Sequence, residues 1–503
     1  MRRTRLWATT ALAGLTVGLL GACSAGADPQ GTSSGSSSVS AKDSAAIALN
    51  SGVPKNLDFT TTDGAAIPQA LLGNVYEGLV ALDDSGAIVP ALAKSWTTSS
   101  DNKTYTFELQ PGVKFSNGAD FTADDVKFSI DRVKSDAWTI SLKSGMDVVD
   151  SVKVVSPTTV EVALKSPSNG WLYSMTTRIG AMFDTEGVSD LANTPVGTGP
   201  FAVSEFVRDT SLTLARRDDY WGQKPTVKTV TFKYFDDVNS QIAALQSGGI
   251  DAISGLPDLN TLDQFKGSDK FDVVEGNSTN KWTLSMNNSA APFNDLKVRQ
   301  AINYAIDRQA LLLAVANGYG KVTGSFVPPS DPWYEDLSGA YPFDPEKAKA
   351  LLAEAGASNL SFQFDVPNLP AAVAAAQVIK SDLANIGVTA DVKTMEFPAT
   401  WLDTVFTKAD YQMSIIGHVE SRDLPIYGNP DYYWRYDNPE VQALLKSADA
   451  GTPDQQKTDL AKVMKTLSDD AVSDWLYLAA NINVVDKGLS GLPQNAISES
   501  LNV

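Results

Sequence analysis

Lys103-Thr104-Tyr105-Thr106-Phe107-Glu108-Leu109, followed by Pro111-Gly112 and then by Phe121-Thr122-Ala123-Asp124-Asp125-Val126, is the stretch whose reading decides the class of fold. Its first seven residues alternate polar and apolar side chains, the period of a half-buried strand, so Tyr105, Phe107 and Leu109 are expected to share one buried face. Pro111-Gly112 turns the chain. Thr122 with Asp125 three positions later forms a capping box, and Val126, Ile130 and Val133 continue at helical spacing. A second alternating segment, Thr159-Val160-Glu161-Val162-Ala163-Leu164, follows. Strand, turn, capped helix and strand in succession predict a mixed α and β fold.

Working outward, residues 193–290 continue in that mode, with strands expected at 211–215, 228–234 and 282–286 and a helix at 240–247 before Gly248-Gly249. Upstream, Gln69, Ala70, Leu71, Leu72, Val75, Tyr76, Leu79 and Val80 read as one helix with an apolar face, ended near Gly78. At Asn294-Asp295 the character changes. Leu296, Val298, Ala301, Ile302, Ala305, Ile306, Ala310 and Leu311 recur at helical spacing behind an Asn/Asp cap and predict one long amphipathic helix. Asp344-Pro345, Asn438-Pro439 and Thr452-Pro453 mark further helices with proline at the first position, and Gly356 and Gly387 stand where helix ends favour a left-handed residue. A domain boundary is expected near residue 290.

The N-terminal segment has a different logic. Arg2, Arg3 and Arg5 precede an apolar run from Leu6 to Leu20 that closes on Leu20-Gly21-Ala22-Cys23, the layout of a lipoprotein signal peptide spanning residues 1–22. The run is shorter than the roughly 20 apolar residues a spanning helix needs, and Thr9, Thr10, Gly14, Thr16 and Gly18 interrupt it. Cys23 is the chain's single cysteine and the expected lipidation site. Residues 23–43, rich in Ser, Gly, Ala and Thr, lack the apolar surface needed to order themselves and read as a flexible tether reaching roughly 25 Å. The expected location is the extracytoplasmic face of the cell membrane, held by lipid.

Composition and charge narrow the functions. A chain of 503 residues exceeds one compact core and predicts two or three domains. Its 40 basic and 59 acidic residues leave a net charge of −19, which argues against a nucleic-acid partner. One cysteine permits no intramolecular disulfide, and one histidine, His418, leaves no Ser-His-Asp arrangement except through itself and no His/Cys zinc site. No metal and no cofactor is expected. Gly197-Thr198-Gly199-Pro200-Phe201-Ala202 matches a dinucleotide fingerprint in letters only, because Pro200 and the apolar run after it lead into a strand. Asp83-Asp84, Asp124-Asp125, Asp218-Asp219 and Asp236-Asp237 are turn or helix-start pairs that keep open a carboxylate-dependent hydrolase. His418 ends a short apolar strand and precedes Glu420, Arg422 and Asp423. Tyr427, Tyr432, Tyr433, Trp434 and Tyr436 follow, a density of amphipathic aromatics suited either to a ligand cleft or to packing between lobes.

Five blocks carry a resemblance: Asn74-Val75-Tyr76-Glu77-Gly78-Leu79, Pro90-Ala91-Leu92-Ala93-Lys94-Ser95-Trp96, Gly112-Val113-Lys114-Phe115-Ser116-Asn117-Gly118 with the capping box after it, Pro195-Val196-Gly197-Thr198-Gly199-Pro200-Phe201 with Tyr220-Trp221, and Asn294-Asp295-Leu296-Lys297-Val298-Arg299-Gln300-Ala301-Ile302. In order and spacing they resemble family 5 of the bacterial extracellular solute-binding proteins, the peptide and nickel group serving ABC importers.

The resemblance implies a two-lobed periplasmic-binding fold of type II in its large three-domain variety. It divides the chain into 44–89 with 193–290 and 486–503 as domain I, 90–192 as domain II and 291–485 as domain III. It implies capture of a peptide or similar small solute without chemistry, by a monomer that delivers it to an ABC permease and ATPase. Oligosaccharide and metal-chelate ligands are the alternatives, a single histidine arguing against bare nickel. Glu77, Trp282 and Asn287 match positions near the family's cleft. The acid that meets a peptide's amino terminus corresponds to Glu420 or Asp423, with His418 where the family often has tryptophan. Arg422 departs from the pattern, and as a cation among acids it is suited to a ligand carboxylate. Trp434, from the aromatic run after His418 and not from the resemblance, completes the expected ligand contacts.

Overall fold

The computed structural model describes residues 42–503. The expected signal peptide, Cys23 and the tether up to residue 41 lie outside the described residues. Among the described residues no helix is long and apolar enough to cross a membrane.

Eleven of the described strands form one sheet. One half is built on Ser44–Ala48, which lies parallel to Thr229–Lys233 on one side and Ala252–Ile253 on the other, with Ser211–Arg216 and Phe201–Val207 extending it antiparallel. The other half places Ser361–Pro367 between Thr389–Met395 and Met413–His418, all parallel. Two long antiparallel strands, Phe271–Met286 and Ser473–Asp486, run through the middle and join the halves. Their register slips between Asn277 and Lys281, a bulge that kinks the pair midway.

A separate antiparallel sheet orders Ala93–Thr98, Thr104–Leu109, Thr159–Leu164 and Val149–Ser156 side by side. Alternation does what it predicts: Tyr105, Phe107 and Leu109 are buried together with Val160, Val162 and Leu164. The helix Ala123–Lys134 begins with both halves of the Thr122/Asp125 capping box formed and buries Val126, Ile130 and Val133. This sheet and the first half of the large one share a single core, in which Phe107 and Val162 belong with Ile47, Leu212 and Phe232. Residues beyond 280 have two cores of their own, one around Leu284, Ile302 and Phe364, the other around Phe326, Tyr433 and Trp475. A fourth core, around Leu245 and Phe265, takes in Phe271, Ile482 and Val484 of the crossing strands themselves, so apolar burial gathers in two bodies at the two ends of those strands.

Three expected elements differ from the observed ones. The helix expected over 69–80 ends at Leu71, and Val75, Tyr76 and Leu79 are buried in an irregular segment. Burial on every side imitated a helical face. The break is set at Gly73, whose φ of 73° suits glycine and where a Cβ would meet Asn502 Oδ1 at 1.8 Å. The long helix expected over 296–311 is two helices, Leu296–Ala305 and Arg308–Ala316, because Asp307 accepts from the backbone N–H of Gln309 and Ala310 and caps a new start. The strand expected at 282–286 is the end of the sixteen-residue Phe271–Met286, whose first half sets Phe271, Val273 and Val274 among polar residues and is only partly buried. The helices after Asp344, Asn438 and Thr452 start as the proline signals predict. Phe201–Val207 is a strand, and the glycines before it allow close backbone approach: a Cβ on Gly197 would meet Val75 O at 2.0 Å.

Candidate functional site

The register of two central strands assembles the site. Lys281 lies directly opposite His418 in the antiparallel pair formed by Phe271–Met286 and Met413–His418. Trp282, Leu284 and Met286 go to one face of the first strand and into a core, so Lys281, Thr283 and Ser285 go to the other, where all three are fully buried. A lysine there needs a counter-charge. Its Nζ donates to Asp423 Oδ1 at 2.8 Å and to the Glu420 carbonyl, and lies 4.7 Å from the centre of the Phe326 ring. The ammonium is 0 % and the Asp423 side chain 10 % exposed, so the pair is held away from water.

Burial dominates the electrostatics. It pushes Asp423 up to about 6 against the pull of Lys281, and its second oxygen, Oδ2, is buried with no hydrogen-bond partner. Asp331, in the loop before Trp333, is pushed up to about 7 by burial, with Arg422 and Lys281 pulling it back. His418 is driven down to about 3 by burial and then by Lys281, so it is neutral at physiological pH. Its Nε2 shares a 2.9 Å hydrogen bond with the Tyr433 hydroxyl, which in turn meets Ser285 Oγ at 2.8 Å.

Arg422 spans the gap to the other body. Its Nη2 donates to the Gly86 carbonyl at 2.7 Å, and its guanidinium carbon lies 4.4 Å from the Tyr173 ring centre and 5.3 Å from that of Trp333. Gly86 and Tyr173 belong to the body with the four-stranded sheet; Trp333 and Arg422 belong to the body beyond residue 280. A second bridge lies at the start of the helix Asn169–Ser174, where Ser168 Oγ and Gly170 N donate to Asp449 Oδ1 at 3.0 and 2.9 Å. The C-terminal segment crosses the same seam, with Ser421 Oγ donating to the Ile497 carbonyl and Arg178 bonding Glu499.

His418, Glu420, Arg422 and Asp423 thus come together as one cluster, which also contains Lys281 and Asp331, absent from the expected set. The other four expected contacts stand elsewhere. Glu77 accepts from Thr198 Oγ1, the Tyr220 hydroxyl and Trp221 Nε1 at 2.8, 2.8 and 2.9 Å, so both oxygens are engaged in joining segments of its own body. Asn287 donates to the Ala409 and Tyr411 carbonyls and ties a loop. Trp282 stacks on Tyr477 in the core. Trp434 is 1 % exposed, stacks on Tyr427 at 4.1 Å and donates Nε1 to Ser285, which leaves neither its face nor its N–H for a ligand. The aromatics after residue 424 form the floor beneath the cluster, and the walls beside Arg422 are Tyr173 and Trp333.

The acidic pairs have structural employment. Asp83 closes a turn by accepting from Ser85 and Ala87, Asp125 caps its helix, Asp219 pairs with Arg217, and Asp237 caps the helix Val238–Ser247. None presents two free facing carboxyls.

Two bodies of mixed α/β structure joined by crossing strands, with charged groups gathered at their seam, define the type II periplasmic-binding class. Solved structures agree on the fold: that of HbpA2 from Haemophilus parasuis superposes with a TM-score of 0.78 at 24% identity over 88% of this chain and 96% of that one. The periplasmic binding protein DppA from Helicobacter pylori, in complex with the peptide STSA, gives 0.71 at 23% over 91% and 96%. The model of "Bacterial extracellular solute-binding proteins, family 5 Middle" matches residues 87–438. The dipeptide-binding protein of Escherichia coli K12 is 31% identical over 372 residues, 67% of this chain and 68% of that protein, and the nickel-binding periplasmic protein of the same strain is 34% identical over 297 residues, 56% of each. This chain belongs to family 5 of the bacterial extracellular solute-binding proteins, and it is a binding protein, not an enzyme.

Proposed function

We propose that this chain is the extracytoplasmic binding component of an ABC importer, anchored through a lipid on Cys23, which captures a peptide or similar small charged solute between its two bodies and passes it to a permease. The observation that carries the reading is the seam cluster. Lys281, Arg422, Asp331, Glu420 and Asp423 bring both signs of charge to one place where bodies meet, and a ligand with separated ammonium and carboxylate groups matches that pattern. Peptide is the class favoured by the dipeptide-binding relative. Closure of the two bodies about the crossing strands is part of this reading, and the protein acts as a monomer.

A metal reading has one observation behind it: His418, Glu420 and Asp423 each bring a ligand atom within 4.8 Å of the others. Lys281 already supplies the positive charge at Asp423, and the His418 Nε2 is bonded to Tyr433, so a bare divalent ion competes with groups in place. Titration of the purified protein with di- to octapeptides, sugars and nickel with and without a chelator, followed by melting temperature, separates the readings. A ligand at 100 times its Kd raises stability by about 2.7 kcal/mol. A response to an oligosaccharide and none to any peptide rejects the peptide reading.

A further inference from the structure

Arg422 is half-buried at the seam and has no carboxylate partner among the described residues. The buried Arg178, Arg217 and Arg308 each hold a carboxylate, at 2.6, 3.1 and 2.7 Å, and the buried Arg299 spends its donors on the Phe293, Asp470 and Ala471 carbonyls, whereas Arg422 makes one hydrogen bond, to Gly86, and no ion pair among the described residues. Its backbone is left-handed, with φ of 54°, a region an arginine enters at a cost and a glycine enters freely. What surrounds its guanidinium is everything that attracts a cation: the Tyr173 face, the Trp333 ring, the Gly86 carbonyl, and the field of buried Asp331. These groups come from three separate segments on both sides of the seam.

We propose that Arg422 is the specificity-determining residue of the seam: its guanidinium fills a cation box formed by the rings of Tyr173 and Trp333 and the Gly86 carbonyl. The box is closed to a ligand's cationic group while the side chain is present, and accepts a guanidinium or alkylammonium group when it is removed. The inference deepens the reading of capture at this seam, because it assigns the sign of charge the ligand presents there. A ligand group that approaches the box in the native protein is neutral or anionic. Any ammonium it carries is received elsewhere in the cluster, toward Glu420 and Asp423.

The full chain with Arg422→Gly, a substitution suited to the left-handed backbone, is titrated with agmatine, a guanidinium on an aliphatic stem. Tryptophan fluorescence and melting temperature are followed. Saturable binding at least ten-fold tighter than to the wild type is expected, lost again when Tyr173→Leu is added. Arg422→Lys refills the box and responds to agmatine no more than the wild type. If Arg422→Gly is unstable, a rise in its melting temperature with agmatine supports the proposal in the same way. Equal responses of wild type and Arg422→Gly, no response of either, or a response of Arg422→Gly that persists without Tyr173 overturns it. Peptide titrations of the wild type test the capture reading separately, so the two ideas fail independently.

Discussion

Glu77 and Asp423 are both carboxylates taken out of water, and they have opposite surroundings. Glu77 receives three donors, from Thr198, Tyr220 and Trp221, and all its hydrogen-bonding capacity serves one body of the protein. Burial still pushes its pKa up, with the three donors opposing. Asp423 receives Lys281 on one oxygen and nothing on the other, beside Asp331, which has no ion-pair partner among the described residues. A satisfied buried carboxylate is a fastener. Asp365, Asp459 and Asp474 also keep one unpartnered oxygen, so it is the place of Asp423 at the seam that, on the reading proposed above, opens it to a partner from outside the chain.

The contrast is broken most severely at Lys281. Lys281→Met leaves Asp423 buried without a counter-charge, and a loss of about 3–5 kcal/mol at pH 8 is expected by denaturant unfolding. At pH 5 the loss shrinks, because Asp423 then takes up a proton, and Lys281→Met with Asp423→Leu recovers most of it. A deficit of the same size at both pH values would mean that Lys281 matters for packing alone.

Glu77→Ala ranks next. It strands three donors, each of which costs about 1 kcal/mol or more when left unpaired, so a loss of about 2–4 kcal/mol is expected. The folded fraction should bind ligand with unchanged affinity by calorimetry. A ten-fold loss of affinity in folded protein would move Glu77 back into the cleft.

The pH dependence of stability supplies the third test. Asp331 has a folded pKa near 7 against an ordinary value near 3.8, so the folded state binds more protons between those values and stability falls as pH rises through that window. His418 opposes this, since its folded pKa near 3 makes stability fall as pH drops below 6.5. Comparison with Asp331→Asn isolates the aspartate: the variant should gain melting temperature relative to wild type from pH 4 to pH 7. Parallel curves would show that Asp331 is as well solvated as an exposed carboxylate.

How far the sequence foretold this depends on the kind of signal. Alternation at 103–109 and 159–164, the Thr122/Asp125 box and the Pro-led helices are local, and they formed as read. Burial of Val75, Tyr76, Leu79 and Val80 in an irregular segment imitates the spacing of a helix face, and Asp307 restarts a helix inside a continuous apolar spacing. At the site, His418, Glu420, Arg422 and Asp423 were legible because they are neighbours in sequence. Lys281 is placed by a strand register, although its alternation with Thr283 and Ser285 on a strand otherwise bearing Trp282, Leu284 and Met286 was a readable sign of a buried polar face. Asp331 looks like a turn residue before Pro332, and only tertiary contact buries it. The amphipathic ring of Trp434 suits a ligand wall on sequence grounds, yet the partner of its N–H is Ser285, 149 positions away.

The central claim is that the half-satisfied charges at the seam, and not the satisfied ones, receive the solute. Calorimetric titration of the wild type with a peptide that binds, and with its N-acetylated and C-amidated forms, tests this most directly. The account predicts that each block weakens binding at least ten-fold, and that Asp423→Asn removes most of the penalty of N-acetylation while Glu77→Gln leaves both penalties intact. Equal affinity for blocked and unblocked peptides, or abolition of the penalties by Glu77→Gln, would contradict it.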